Sequence, residues 1–124
     1  MSDRINGDEL SRYNTAFPRT QISCENCEDY LRLSIVGELD ILSSNAARPL
    51  ILSIMEQLPP GYELLIDLSR LVYISSTGVG LLTSVLMEAK KKGVELVLGE
   101  IHPKVEDVLR LLGVLSFFKR MDRG

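Results

Sequence analysis

The sequence alternates between short segments patterned as β-strands and longer segments patterned as α-helices, and this order constrains the fold more than any other feature. Residues 30–37 alternate apolar and polar side chains, which is typical of a half-buried strand. Residues 62–68 form a short apolar run between turn signals, the pattern of a central strand. Residues 77–93 carry apolar side chains at helical spacing. Because strands that alternate with helices are joined by right-handed crossovers, we predict an α/β fold with parallel neighbouring strands.

The remaining segments extend this order to β-β-α-β-α-β-α. Weak alternation in residues 19–26, followed by a polar turn, indicates a hairpin with the next strand. Residues 71–74 either extend the central strand or form a strand of their own. Asp67, at the end of the central strand, is expected to accept backbone N–H groups of the next turn. The other predicted elements are helices over 41–58 and 102–113 and a strand over 94–100.

Length and composition fit one globular domain. The chain has 124 residues, of which 45% are apolar and 25% charged, enough to bury a core. Residues 1–16 are polar and mixed, so we expect a loosely ordered N-terminal arm before a domain over residues 17–124. The net charge of −3 provides no basic footprint for nucleic acid. No apolar run approaches the roughly 20 residues of a membrane span, and no signal-peptide core is present, so we predict a cytoplasmic protein.

The two cysteines, Cys24 and Cys27, have the C-x-x-C spacing. This pair would supply half of a tetrahedral zinc site, and His102 is the only histidine available to complete it. A redox pair would stand at the start of a helix, whereas this one lies in a turn. We therefore interpret the two thiols as incidental and predict neither a metal nor a cofactor.

Two loops are predicted to meet at one edge of the sheet. Sites in such folds lie beyond the carboxyl ends of the strands, where residues 37–42 and 73–80 are expected side by side. Asp40 in the first loop either caps the following helix or contacts a partner. Core packing and partner contact are likewise both open for Ile41, Leu42 and Val79.

Three adjacent hydroxyls, Ser75, Ser76 and Thr77, stand where a strand meets a helix. Serine and threonine are favoured helix caps, but a single cap needs a single hydroxyl. A serine on the first turn of a helix is accessible, and a phosphate there meets backbone N–H groups and the positive end of the helix dipole. Capping and phosphorylation therefore both remain interpretations of this cluster.

Catalytic interpretations of the same segment fail on spacing. Gly78 and Gly80 open the helix, but Thr83 stands where a dinucleotide fingerprint has its third glycine, and no P-loop lysine follows. A nucleophile elbow would need a glycine two residues before Ser76. A triad would need His102, which stands at a helix start. We predict that the chain is not an enzyme.

Four motifs together resemble the STAS-domain family, in particular the small bacterial anti-sigma factor antagonists, over about residues 19–120. The resemblance implies a mixed β-sheet of about four to five strands covered mainly on one face by three to four helices. The motifs are "GELD" (37–40), "LLIDLSRLVYISSTGVGLL" (64–82), "KKKGVELVLGEI" (90–101) and "VLRLLGVLSFF" (108–118).

The resemblance also implies a function. In these antagonists a serine of an Asp-Ser-[Ser/Thr]-Gly loop is phosphorylated by an anti-sigma factor with serine kinase activity, which binds the unphosphorylated form. A PP2C-type phosphatase resets the switch. By this resemblance Ser76 is the phosphoacceptor, with Ser75 and Thr77 as alternatives, in a protein that regulates transcription. The implied partner-binding residues are Asp40, Ile41, Leu42, Ser75, Thr77, Gly78, Val79 and Gly80.

One position departs from the family pattern. Ser75 stands where the family has an aspartate before the phosphorylated serine. The aspartate could orient the serine hydroxyl or assist the kinase, so its loss puts efficient phosphorylation in question. The alternative function is a STAS scaffold subunit of a stress-signalling or lipid-transport complex that phosphorylation does not switch.

Overall fold

The computed structural model describes residues 7–121 and contains four helices and six strands within that range. The helices are α1 Gly7–Ala16, α2 Ile41–Glu56, α3 Ser76–Lys92 and α4 Pro103–Leu111. The strands are β1 Thr20–Asn26, β2 Tyr30–Leu39, β3 Glu63–Leu68, β4 Leu71–Ile74, β5 Glu95–Ile101 and β6 Lys119–Arg120, and a short 3-10 turn covers Leu115–Phe117.

The strands form one mixed sheet. Its order is β1-β2-β3-β5-β6, and β4 pairs with β2 beyond the end of β3. The β1–β2 pair is antiparallel, as a hairpin requires, and the other pairs are parallel. The predicted fold is confirmed. The sheet has six strands because residues 71–74 form a strand of their own and residues 119–120 add a short edge strand.

One face of the sheet carries the core. Alternation in β2 turns Leu31, Leu33 and Ile35 inward, and Leu64 and Ile66 of β3 lie beside the first two. Buried residues from α2, α3 and α4 join the same cluster. The opposite face is partly polar. The helices therefore cover mainly one face, and the hydrophobic effect accounts for the alternating pattern.

Asp67 lies on this second face and is more constrained than its position in the sequence suggests. Its Oδ1 accepts from the backbone N–H of Ser69 at 2.9 Å, as predicted, and its Oδ2 accepts from Arg32 Nη2 at 2.8 Å across the β2–β3 pair. Burial opposes ionisation, but the bonds from Ser69 and the guanidinium of Arg32 outweigh it, so the pKa of Asp67 is lowered.

The lowered pKa of Asp67 predicts a pH-dependent contribution to stability. The ionised carboxylate contributes fully above the unfolded aspartate pKa of about 3.9, and its contribution is lost as the pH falls through the lower folded pKa. We expect Asp67→Asn to reduce the free energy of unfolding at pH 7 by about 0.5–1 kcal/mol and to flatten its decline in acid. Urea denaturation at stepped pH measures both effects. Asp29→Asn, in the exposed β1–β2 turn, is the control, and an identical pH profile in the two variants would contradict the assignment.

The structure corrects the prediction of a loose N-terminal arm. Residues 7–16 form α1, and Tyr13 on this helix is part of the buried core. The Asn14 amide binds Ile22 of β1 twice: Nδ2 donates to the Ile22 carbonyl at 3.0 Å, and Oδ1 accepts from its N–H at 2.9 Å. The first six residues of the predicted arm lie outside the described residues. The described part packs on the core because Tyr13 supplies a large apolar surface that the polar composition conceals.

Candidate functional site

The two predicted loops meet at one edge of the sheet. Strands β2 and β4 run parallel, and Leu39 pairs with Ile74 where both strands end. The backbone N–H of Ser75 donates to the Leu39 carbonyl at 2.8 Å, which continues the pairing to the last residue before α3. Helix α2 begins at Ile41 and α3 begins at Ser76, so two helix N-termini lie beside each other.

The hydroxyl cluster separates into a cap and an exposed serine. Ser75 is the N-cap of α3: its Oγ accepts from the Gly78 N–H at 3.1 Å, and the residue is only 9% exposed. Ser76 is the first residue of the helix and is exposed, while Thr77 is half-buried. Because the cap uses Ser75, the hydroxyl of Ser76 is not needed to start the helix.

Asp40 is the N-cap of α2. Its Oδ1 accepts from the Ser43 N–H at 2.9 Å, and the Asp40 N–H donates to Ser43 Oγ at 3.0 Å, which forms a capping box. The bond from the Ser43 N–H is the main cause that lowers the pKa of Asp40, and the Ser43 hydroxyl adds to it. Asp40 is also exposed. The cap is therefore real, and a negative charge stands at the surface in the loop beside the α3 start.

The apolar residues around Ser76 divide between surface and core. Ile41 and Leu42 are 59% and 72% exposed on the first turn of α2. Val79 is buried in the core, so core packing, one of the two interpretations left open for it, is observed, while its contact with a partner stays a prediction. Tyr73, which no sequence pattern singled out, is an exposed aromatic residue on β4, three positions before Ser76. We call the exposed residues Asp40, Ile41, Leu42, Tyr73 and Ser76 the Ser76 face.

The two glycines of α3 have different roles. A Cβ on Gly78 would lie 2.7 Å from Ile74 Cγ1 and 3.1 Å from Ser44 Oγ, so close packing requires glycine there. Nothing lies within 4 Å of a Cβ on Gly80. Gly78 and the cap Ser75 are buried, and their part in partner binding stays a prediction. Within residues 7–121, Ser44 Oγ is the one fully buried side-chain polar atom that lacks a hydrogen-bond partner.

The family model described as STAS domain matches residues 21–123 of the sequence. The chain belongs to the STAS domain family. A comparison with curated protein sequences finds no significant match.

Solved structures with the same fold include anti-sigma factor antagonists. This STAS domain superposes on an anti-sigma factor antagonist from Mycobacterium paratuberculosis with a TM-score of 0.67 and 24% identity, over 82% of this chain and 84% of that one. SpoIIAA in its unphosphorylated form gives 0.66 and 21%, over 82% and 89%. The Bacillus cell fate determinant SpoIIAA in the phosphorylated form gives 0.60 and 20%, over 82% and 92%. At these identities the likeness establishes the shared fold.

Other features of this STAS domain bear on the remaining predictions. Cys24 and Cys27 are free thiols, and burial raises the pKa of Cys24 to about 11. Among the described residues, no cluster of three or more His, Cys, Asp or Glu side chains is placed to hold a metal ion. None of the helices in that part of the chain combines the length and apolar character of a membrane span.

Proposed function

We propose that this STAS domain is an anti-sigma factor antagonist that works in the cytoplasm as a phosphorylation-controlled binding protein rather than as an enzyme. In this proposal the unphosphorylated form binds an anti-sigma factor with serine kinase activity and so regulates transcription. Ser76 is the proposed phosphoacceptor. The observation that carries the proposal is the exposure of Ser76, at the start of α3, beside the exposed apolar residues Ile41 and Leu42.

The local structure supports a phosphate on Ser76. The first turn of a helix directs backbone N–H groups outward, and its dipole favours negative charge. The cap bond between Ser75 Oγ and the Gly78 N–H does not involve the Ser76 hydroxyl. Phosphorylation therefore leaves the helix start intact, and its effect is directed to a partner rather than to the fold.

The surroundings of Ser76 explain how a phosphate would break a complex. Ile41 and Leu42 offer apolar area that a partner would desolvate. A phosphate adds a charge of about −1.5 to −2 next to this area, on a face where Asp40 already carries a negative charge. Burying these charges without partners costs more free energy than the apolar contacts return, so the complex would dissociate.

The replacement of the family aspartate by Ser75 is compatible with this mechanism. Serine and aspartate are both favoured N-caps, and either one can accept the Gly78 N–H. The replacement therefore preserves the helix start and removes one negative charge beside Ser76. We infer that the orientation of Ser76 depends on the cap geometry, which the chain retains, rather than on that charge.

The proposal is tested by phosphorylation mapping. We expect the serine-kinase anti-sigma factors of the same organism to include one that transfers a single phosphate from ATP to Ser76, found by mass spectrometry of the intact chain and its peptides. A PP2C-type phosphatase is expected to remove this phosphate. Ser76→Ala should accept none, while Ser116→Ala, a change of another exposed serine, should be phosphorylated normally. Phosphate on Ser75 or Thr77, or on no residue from 75 to 77, would contradict the assignment.

A second candidate function is a scaffold subunit of a stress-signalling or lipid-transport complex. The observation that favours it is a second set of exposed apolar side chains, which lie at the end of α4 and in the segment after it: Leu111, Leu112, Phe117 and Met121. A scaffold would form a stable complex that Ser76→Asp does not disturb. The two functions are therefore distinguished by the same variant.

A further inference from the structure

Helix α1 lies before the part of the chain that the family model matches. The match begins at residue 21, whereas α1 covers Gly7–Ala16. The helix packs on β1 and α2.

Tyr13 joins α1 to the start of α2. Its hydroxyl donates to the Ser43 carbonyl at 2.8 Å, and the residue is 6% exposed. Ser43 is the second member of the capping box that Asp40 forms. Burial, only partly offset by hydrogen bonds, raises the pKa of Tyr13 to about 12, so the hydroxyl remains a donor at physiological pH. The bond therefore restrains the turn that bears Asp40, Ile41 and Leu42.

The position of Tyr13 is itself restrained by its neighbours. Its ring packs against Phe17 with centroids 4.9 Å apart. The adjacent Asn14 is held by two hydrogen bonds to Ile22 of β1. Because α1 is attached at several points, Tyr13 provides a firm contact rather than one that would move with the α2 turn.

We propose that α1 is a positioning element of the Ser76 face: Tyr13, bound to the Ser43 carbonyl, holds the first turn of α2 so that Asp40, Ile41 and Leu42 are presented to the partner in one arrangement. This inference rests on the proposed function for the identity of the partner. The first turn of a helix frays readily, and ordering it on binding would reduce affinity. A buried hydrogen bond that fixes the turn in the free protein removes this cost in advance.

A pair of matched variants tests the proposal. Tyr13→Phe keeps the ring and removes the hydroxyl bond to Ser43, whereas Tyr62→Phe removes a part-buried bond, from Tyr62 to the Cys27 carbonyl at 2.9 Å, near the amino ends of β2 and β3. Hydrogen exchange of the Ser43 and Ser44 amides is measured first, in the free protein. We expect Tyr13→Phe to accelerate it about fivefold to tenfold, as loss of one hydrogen bond predicts, and Tyr62→Phe to leave it unchanged.

Affinity for the anti-sigma factor kinase that phosphorylates Ser76 is measured second. We expect Tyr13→Phe to weaken binding about fivefold and Tyr62→Phe to bind like the wild type. Equal exchange at Ser43 in both variants would overturn the restraint by Tyr13. Faster exchange with unchanged affinity would overturn the positioning role. Absence of binding by the wild-type chain would refute the proposed function and the positioning role together, while the exchange result separately decides whether Tyr13 holds the turn.

Discussion

Ser76→Asp is expected to weaken binding to the anti-sigma factor kinase by at least about 30-fold, the effect of losing a central interface residue. Aspartate places a charge beside Ile41 and Leu42, where a partner would have to bury it. The fold should not suffer, because an acidic residue on the first turn of a helix is favourable by about 0.3–1 kcal/mol. The separation of these two effects is what distinguishes a switch from a damaged protein. Titration calorimetry and urea denaturation measure them in the same preparation.

Two controls sharpen this prediction. Ser76→Ala should bind as the wild type does but should escape release by the kinase and ATP, because it has no acceptor hydroxyl. Ser116→Asp adds the same charge in the exposed turn after α4 and should leave affinity unchanged. Wild-type affinity in Ser76→Asp would refute the switch and favour the scaffold function.

Gly78→Ala is expected to reduce the free energy of unfolding by about 1–3 kcal/mol. Its new methyl group would lie 2.7 Å from Ile74 Cγ1, and Ile74 is buried, so the two helix starts or the end of β4 must shift. The Ser44 hydroxyl would lie 3.1 Å from the same methyl group, so a second neighbour is also too close. Urea denaturation with a constant m-value would report the loss, and amide exchange would place it at the α2–α3 contact.

Gly80→Ala is the matched change. Its methyl group meets no atom within 4 Å, and alanine is more favourable than glycine inside a helix. We therefore expect the free energy of unfolding to rise by about 0.5–1 kcal/mol. Opposite changes in the free energy of unfolding, two residues apart in one helix, would show that close packing is the reason for glycine at position 78. Equal destabilisation of both variants would contradict the packing argument.

Hydrophobic periodicity was sufficient to predict most of the fold. Alternation marks β2 through Leu31, Leu33 and Ile35 because one face of that strand is buried and the other is not. The same logic fails for α1. Leu10, Tyr13 and Phe17 have helical spacing, but polar residues surround them, and the burial of Tyr13 depends on a carbonyl 30 positions away. A contact that is distant in sequence leaves no local signal.

The location of the candidate site could be predicted from the sequence, but the roles of its individual residues could not. Parallel strands followed by helices predict that the Asp40 and Ser76 loops share an edge. Which hydroxyl caps α3 depends on the pairing of Ser75 with Leu39, which sets the helix start one residue before the predicted one. Tyr73 was missed because its exposure follows from the bulge where β4 joins β2 rather than from a sequence pattern.

The two bonds between Asn14 and Ile22 also cover part of an edge of the sheet. Strand β1 is at the edge of the sheet, and an open edge is a template for pairing with another chain. The Asn14 amide occupies the donor and the acceptor of Ile22, as a neighbouring strand would. A fragment trimmed to the family-matched region would retain Ser76 and Asp40 but would lose the two hydrogen bonds from Asn14 to the edge strand. The helix before the family-matched region therefore covers part of the edge of the sheet within that region.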